Sequence, residues 1–121
     1  MAELLGITPP DDSMGVLQDV HWSMGAIGYF PTYTLGNLLA CQLWETAVAA
    51  HPSIPDGIRS GDCSELLGWL HEHIHRYGRQ YLPADLVVKA TGKPLTAAPF
   101  LHYLETKYSE LYNLKSHKNH A

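Results

Sequence analysis

The chain has 121 residues, a formal net charge of −4 and 17% charged residues, its basic residues are scattered, and 45% of it is apolar. These values point to one folded domain rather than a disordered segment, and they argue against nucleic acid as the main partner. Two cysteines at positions 41 and 63 form neither a metal spacing nor a disulfide framework, and no segment reaches the ~18 apolar residues of a membrane span. The opening MAELLGITPPDDS is acidic and lacks a long apolar run, so it does not read as a signal peptide. A cytoplasmic protein with reduced thiols is the expectation.

The elements expected in chain order begin with the end of a helix over residues 1–6, stopped by Gly6 and then Pro9–Pro10. Residues 7–31 read as irregular or extended, and their mix of Trp, Tyr, Phe and polar groups makes them a candidate binding surface. A helix follows over 32–50, where Leu35, Leu39, Leu43 and Ala47 recur one turn apart, with Leu38, Trp44 and Val48 beside them. His51–Pro52 closes it, and HPSIPDGIRSGD reads as a loop. Asp62 with Glu65 forms a capping-box pattern opening a helix to about Tyr81, whose stripe is Leu67, Leu70, Ile74, Tyr77 and Tyr81. Pro83 and Gly92 bracket a short helix. Thr96 is placed to cap a last helix with the stripe Phe100, Leu101, Leu104, Tyr108 and Leu111, and the tail KSHKNHA is expected to fray. No segment alternates with period 2 for long enough to make a strand. The fold class is all-α: a small array of about four helices behind an irregular N-terminal segment.

Within LHEHIHRYG, residues His71, Glu72 and His75 fit H-E-x-x-H, the zinc-peptidase pattern in which two histidines one turn apart ligate the metal and the glutamate polarises its water. At ~100° per residue, His71 falls ~80° and His75 ~120° from the centre of the apolar stripe, and Glu72 points away from it. A third ligand would have to be His102, Glu105 or Glu110. The plainer reading is a solvated, His-rich helix face, with adventitious metal binding by His71, His73 and His75 as the alternative.

The run Gly15 to Asn37, GVLQDVHWSMGAIGYFPTYTLGN, carries more information. Gly15, Gln18, Asp19, His21 and Trp22 meet a G-x-x-Q-D-x-H-W motif, and residues 28–37 form an adjoining block, GYFPTYTLGN. In this the chain resembles the thermostable carboxypeptidase Taq family of zinc metallocarboxypeptidases, over roughly residues 4–114. The resemblance implies the C-terminal part of a larger helical zinc peptidase. Family members are about four times longer, and their H-E-x-x-H helix, further glutamate ligand and substrate-binding arginines lie upstream of the matched region. It therefore implies that HEHIH is a coincidence, that no cofactor belongs to this chain, and that zinc or another divalent metal belongs to the parent family. By resemblance, His21 and Tyr33 are the candidate transition-state donors. Tyr29 is a candidate second donor or holder of the substrate carboxylate, Asp19 orients His21, and Gln18 bonds backbone or substrate. Trp22 and Phe30 are assigned to packing, and Gly28 and Gly36 to chain geometry. Each also has a structural reading: a hydrogen-bonded histidine beside a tryptophan, a core tyrosine opening its helix, an aspartate in a turn.

Three functions follow as expectations. The first is a carboxypeptidase part, inactive alone, that meets peptide substrate only with the family's N-terminal portion. The second is a helical interaction module, a homo-oligomer that covers its open apolar surface. The third is a small His-rich metal binder. No nucleic-acid or membrane partner is expected.

Overall fold

The computed structural model describes residues 2–114. Its described residues form six α-helices and two 3₁₀ turns: α1 (Ala2–Leu5), α2 (Pro31–Ala50), α3 (Ile54–Arg59), α4 (Ser64–His73), α5 (Pro83–Thr91) and α6 (Ala98–Leu111), with 3₁₀ turns at Val16–Gln18 and His75–Tyr77. The all-α class is borne out. The expected fraying of KSHKNHA lies outside the described residues. The chain divides into two compact units between Tyr33 and Thr34.

In the first unit, α1 ends where Gly6 takes φ +65° and its N–H bonds the Ala2 carbonyl at 3.0 Å. Residues 7–30 are turns, as their glycines and prolines suggest, and no side chain described in this unit is buried. Its order comes from local hydrogen bonds. Asp11 Oδ1 accepts from Ser13 Oγ at 2.6 Å and from the Met14 N–H at 2.9 Å, an Asx-type turn.

The second unit holds the core. Ala47, Ile54 and Trp69 cluster with Leu43, Val48, Leu66 and Leu70 around them, and Val87 and Ala90 bury the inner face of α5. Gln42 is fully buried on α2. Its amide donates to Thr91 Oγ1 and to the Lys93 and Pro94 carbonyls, and its carbonyl oxygen accepts from the Thr96 N–H at 3.0 Å. A buried amide of this kind is tolerated because both its ends are satisfied.

Four sequence expectations need correction. The loop at 51–62 contains α3. Pro55 in its first turn, Asp56 near its start and Arg59 in its last turn suit a helix, and the buried Ile54 ties it to the core. Gly57 lets the chain fold back, because a Cβ there would stand 2.8 Å from the Asp62 carbonyl oxygen.

The capping box is half made. Asp62 Oδ1 accepts from the Ser64 N–H at 2.8 Å, but the Glu65 carboxylate turns to Ser53 Oγ at 2.7 Å and His51 Nδ1 at 3.2 Å.

The helix that starts there ends at His73, not Tyr81. Ile74 leaves helical geometry at φ −124°, and Gly78 takes φ +51°. Tertiary contacts hold the freed segment. Lys89 Nζ lies 5.1 Å from the Tyr77 ring centroid and 5.3 Å from that of Tyr81, a cation–π clamp. The buried face of α4 is accordingly centred on Trp69, 4% exposed, while Leu67 is 58% exposed.

On α6 the expected core stripe is largely open, with Leu101 and Leu111 exposed and Pro99 buried. Thr96 caps it only weakly, its Oγ1 lying 3.4 Å from the Ala98 nitrogen.

Gly92, by contrast, ends α5 as its position suggests, with φ +75° and its N–H on the Val88 carbonyl at 2.8 Å.

Candidate functional site

The first unit brings His21, Asp19, Tyr29 and Tyr33 together. Two local features do this. Asp19 Oδ1 accepts from the His21 backbone N–H at 3.0 Å, a turn that brings carboxylate and imidazole to the same side of the chain. Gly25 and Gly28, at φ +78° and +74°, then let the chain double back. α2 starts at Pro31, where the missing N–H costs nothing, so Tyr33 stands in its first turn with its N–H on the Phe30 carbonyl at 3.0 Å.

The result is a line of three side chains. His21 Nδ1 lies 2.6 Å from Asp19 Oδ1, and His21 Nε2 lies 3.2 Å from Tyr33 Oη. An ionised carboxylate can only accept, so Nδ1 carries a proton and donates it to Asp19. In the neutral imidazole Nε2 then accepts from the Tyr33 hydroxyl. For Nε2 to donate, the ring must be imidazolium. Aromatic rings surround the imidazole: Phe30 at 4.6 Å, Tyr29 nearly parallel at 5.6 Å, and Tyr33 edge-on at 6.0 Å between centroids. Tyr29 and Tyr33 meet edge to face at 5.5 Å.

The Asp19 carboxyl is held below its ordinary value of 3.8, first by the His21 backbone N–H and second by the His21 side chain. A depressed carboxyl contributes stability above its ordinary value and loses it as pH falls through the lowered one. Followed by carboxyl ¹³C shifts, Asp19 is expected to titrate below 3.8. In His21→Ala its midpoint should move only part of the way back, because the larger cause is the backbone N–H. A full return would mean that the imidazole dominates instead.

Gln18 stands apart from this line. Its amide donates to the Ser13 carbonyl within its own loop. Trp22, assigned to packing, is 68% exposed and packs little within this chain. Gly28 does serve chain geometry through its positive φ, whereas Gly36 lies in α2 with open space where a Cβ would go. The contact of Phe30 with His21 was missed as a site feature. Its signal was the position before Pro31, where the backbone is restricted.

The H-E-x-x-H residues are placed differently. His71 and Glu72 lie on α4 and are exposed, while His75 lies beyond its end in a 3₁₀ turn. The two histidines therefore do not share one continuous helix face, which the zinc-peptidase pattern requires. His73 between them stacks on Trp69 at 4.6 Å and 13°, and its Nδ1 bonds the Trp69 carbonyl at 3.0 Å. His102, Glu105 and Glu110 are exposed on α6. Among the described residues, no three His, Cys, Asp or Glu side chains converge as a metal would need, so the donor set does not fit a catalytic zinc. No described helix is long and apolar enough to cross a membrane.

Comparison with known proteins agrees with the motif. The family described as carboxypeptidase Taq (M32) metallopeptidase matches residues 1–108. Thermostable carboxypeptidase 1 of Thermus thermophilus is 45% identical over 108 residues, covering 89% of this chain and 21% of that protein. Carboxypeptidase 1 of Bacillus subtilis is 40% identical over 112 residues, 93% of this chain and 22% of that protein. Among solved structures, the M32 carboxypeptidase of Deinococcus radiodurans superposes with a TM-score of 0.81 at 46% identity, over 93% of this chain and 23% of that one. Metallocarboxypeptidase 1 of Trypanosoma cruzi gives 0.77 at 37% identity, over 89% and 23%. The chain thus spans about a fifth of the length of the relatives it matches. With the motif, the helical fold and a family match over most of its residues, the chain belongs to the carboxypeptidase Taq (M32) metallopeptidase family.

Proposed function

We propose that this chain is the C-terminal part of a metallocarboxypeptidase that releases C-terminal amino acids from peptides, and that it supplies hydrogen-bond donors for the transition state but not the metal. The supporting observation is the line Asp19–His21–Tyr33. When a nucleophile adds to a scissile carbonyl, negative charge grows on the carbonyl oxygen, and donors aimed at it lower the barrier most where they are held in place beforehand. In its protonated form His21 donates from Nε2, with Asp19 accepting from Nδ1. Tyr33 Oη, within 3.2 Å of Nε2, is the second donor once Nε2 turns from it to substrate. Tyr29, edge-on to Tyr33, is the candidate to meet the substrate carboxylate. Gln18 is occupied by its own loop and supports that loop rather than substrate.

The metal chemistry of this reading belongs to residues outside 2–114, and the chain alone is expected to be inactive. The test is a chimera in which this chain replaces the matching segment of the Thermus thermophilus relative. The chimera is expected to release C-terminal residues from a peptide, read by amino-acid analysis, while the chain alone releases none. A well-folded chimera without activity would count against the reading.

A second reading, a helical interaction or oligomerisation module, draws on the open apolar surface of α6, where Leu101, Tyr103 and Leu111 are exposed. A mass by light scattering that grows with concentration would favour it.

A further inference from the structure

We propose that Phe30 is a positioning residue, and that its ring sets the orientation of the His21 imidazole. An imidazole on a turn has two soft dihedrals, and a swing of the ring away from Asp19 would free Nδ1 and move Nε2 off the Tyr33 hydroxyl. The hydrogen bond to Asp19 opposes that swing, but it is a single exposed contact, and once free of it a neutral imidazole carries its proton on either nitrogen. The second restraint is the packing of aromatic rings against the imidazole.

The Phe30 centroid lies 4.6 Å from that of His21 at 51°, closer than Tyr29 or Tyr33. Phe30 is itself fixed. It precedes Pro31, which disfavours the helical region for its backbone, and its carbonyl accepts the Tyr33 N–H at 3.0 Å. The same short segment that places the Tyr33 hydroxyl therefore also places the ring against which the imidazole rests. The groups facing His21 that can titrate are Asp19, Tyr29 and Tyr33, and Phe30 adds none. It acts by shape and by its π face.

Leucine keeps comparable bulk but loses the flat face. Tyrosine keeps the face, and because Phe30 is half exposed its hydroxyl would reach water. The readout is the tautomer of neutral His21 in this chain, measured by long-range ¹⁵N–¹H correlation. Wild type and Phe30→Tyr are expected to hold the Nδ1–H tautomer. Phe30→Leu is expected to give a mixture in which Nε2–H becomes a major form. A Phe30→Leu spectrum that keeps the wild-type tautomer, with Phe30→Tyr as a folded control, would overturn the proposal.

The consequence for catalysis rests on the proposed role of His21. In the chimera, Phe30→Leu should lower kcat roughly tenfold with KM little changed, because a small misplacement of a donor acts on the transition state. The two claims separate cleanly. A shifted tautomer together with a His21→Ala chimera of unchanged kcat would retain the positioning role and refute the function assigned to His21.

Discussion

Replacing His21 by alanine is expected to lower kcat of the chimera by roughly 10²–10³ while leaving KM close to wild type. The reasoning starts from where charge develops. A ground-state peptide carbonyl is nearly neutral, so a donor aimed at its oxygen gains little on binding and much in the tetrahedral state. Such a group shows itself in kcat. His21 has the required geometry because its other nitrogen is spoken for: Asp19 at 2.6 Å fixes Nδ1 and leaves Nε2 as the working atom. Tyr33→Phe should cost less than His21→Ala, since a neutral hydroxyl is a weaker donor than an imidazolium. If His21→Ala instead raised KM with kcat intact, His21 would be a binding residue.

Replacing Trp69 by alanine should destabilise the second unit by about 3–5 kcal/mol, the usual cost of emptying a large aromatic site from a core. Trp69 is 4% exposed, packs with Ala47 and Ile54, and stacks on His73. Its removal therefore opens the contact that joins α2, α3 and α4. For a unit of this size the melting midpoint would fall by about 12 °C or more. Leu67, two residues earlier, is 58% exposed, and Leu67→Ala should stay within about 0.5 kcal/mol. Thermal unfolding followed by helical circular dichroism compares the two. Equal losses would mean that α4 presents a different face from the one described.

The Leu67–Trp69 contrast also shows where the residues alone were insufficient. A stripe extended to Tyr81 has its centre near Leu70 and Tyr81 and includes Leu67. The helix stops at His73, and once Ile74, Tyr77 and Tyr81 are removed from the pattern the buried face turns toward Trp69. Helical periodicity does not mark that stop, because Lys89 clamps Tyr77 and Tyr81 from the next helix, α5. α3 was hidden for a similar reason: six residues holding Pro55 and Gly57 have little helical preference, and the burial of Ile54 overrides it. Boundaries set by local chemistry were legible, as at Gly6, Pro83 and Gly92. Gln42 was not, since a polar residue in an apolar stripe shows its role only when Thr91, Lys93, Pro94 and Thr96 arrive around it. In the site, the Asp19–His21 turn is a local motif. The approach of Tyr33 depends on how the glycine-bearing chain from 22 to 30 doubles back, which periodicity does not encode. Motif resemblance supplied that pairing.

The proposed division of labour, with donors in this chain and metal outside residues 2–114, is tested by elemental zinc analysis of the purified, untagged chain alongside His71→Ala. No stoichiometric zinc in either protein is the expected result. About one tightly held zinc per chain, lost in His71→Ala, would contradict it and make His71, Glu72 and His75 a genuine metal centre despite the end of α4 at His73.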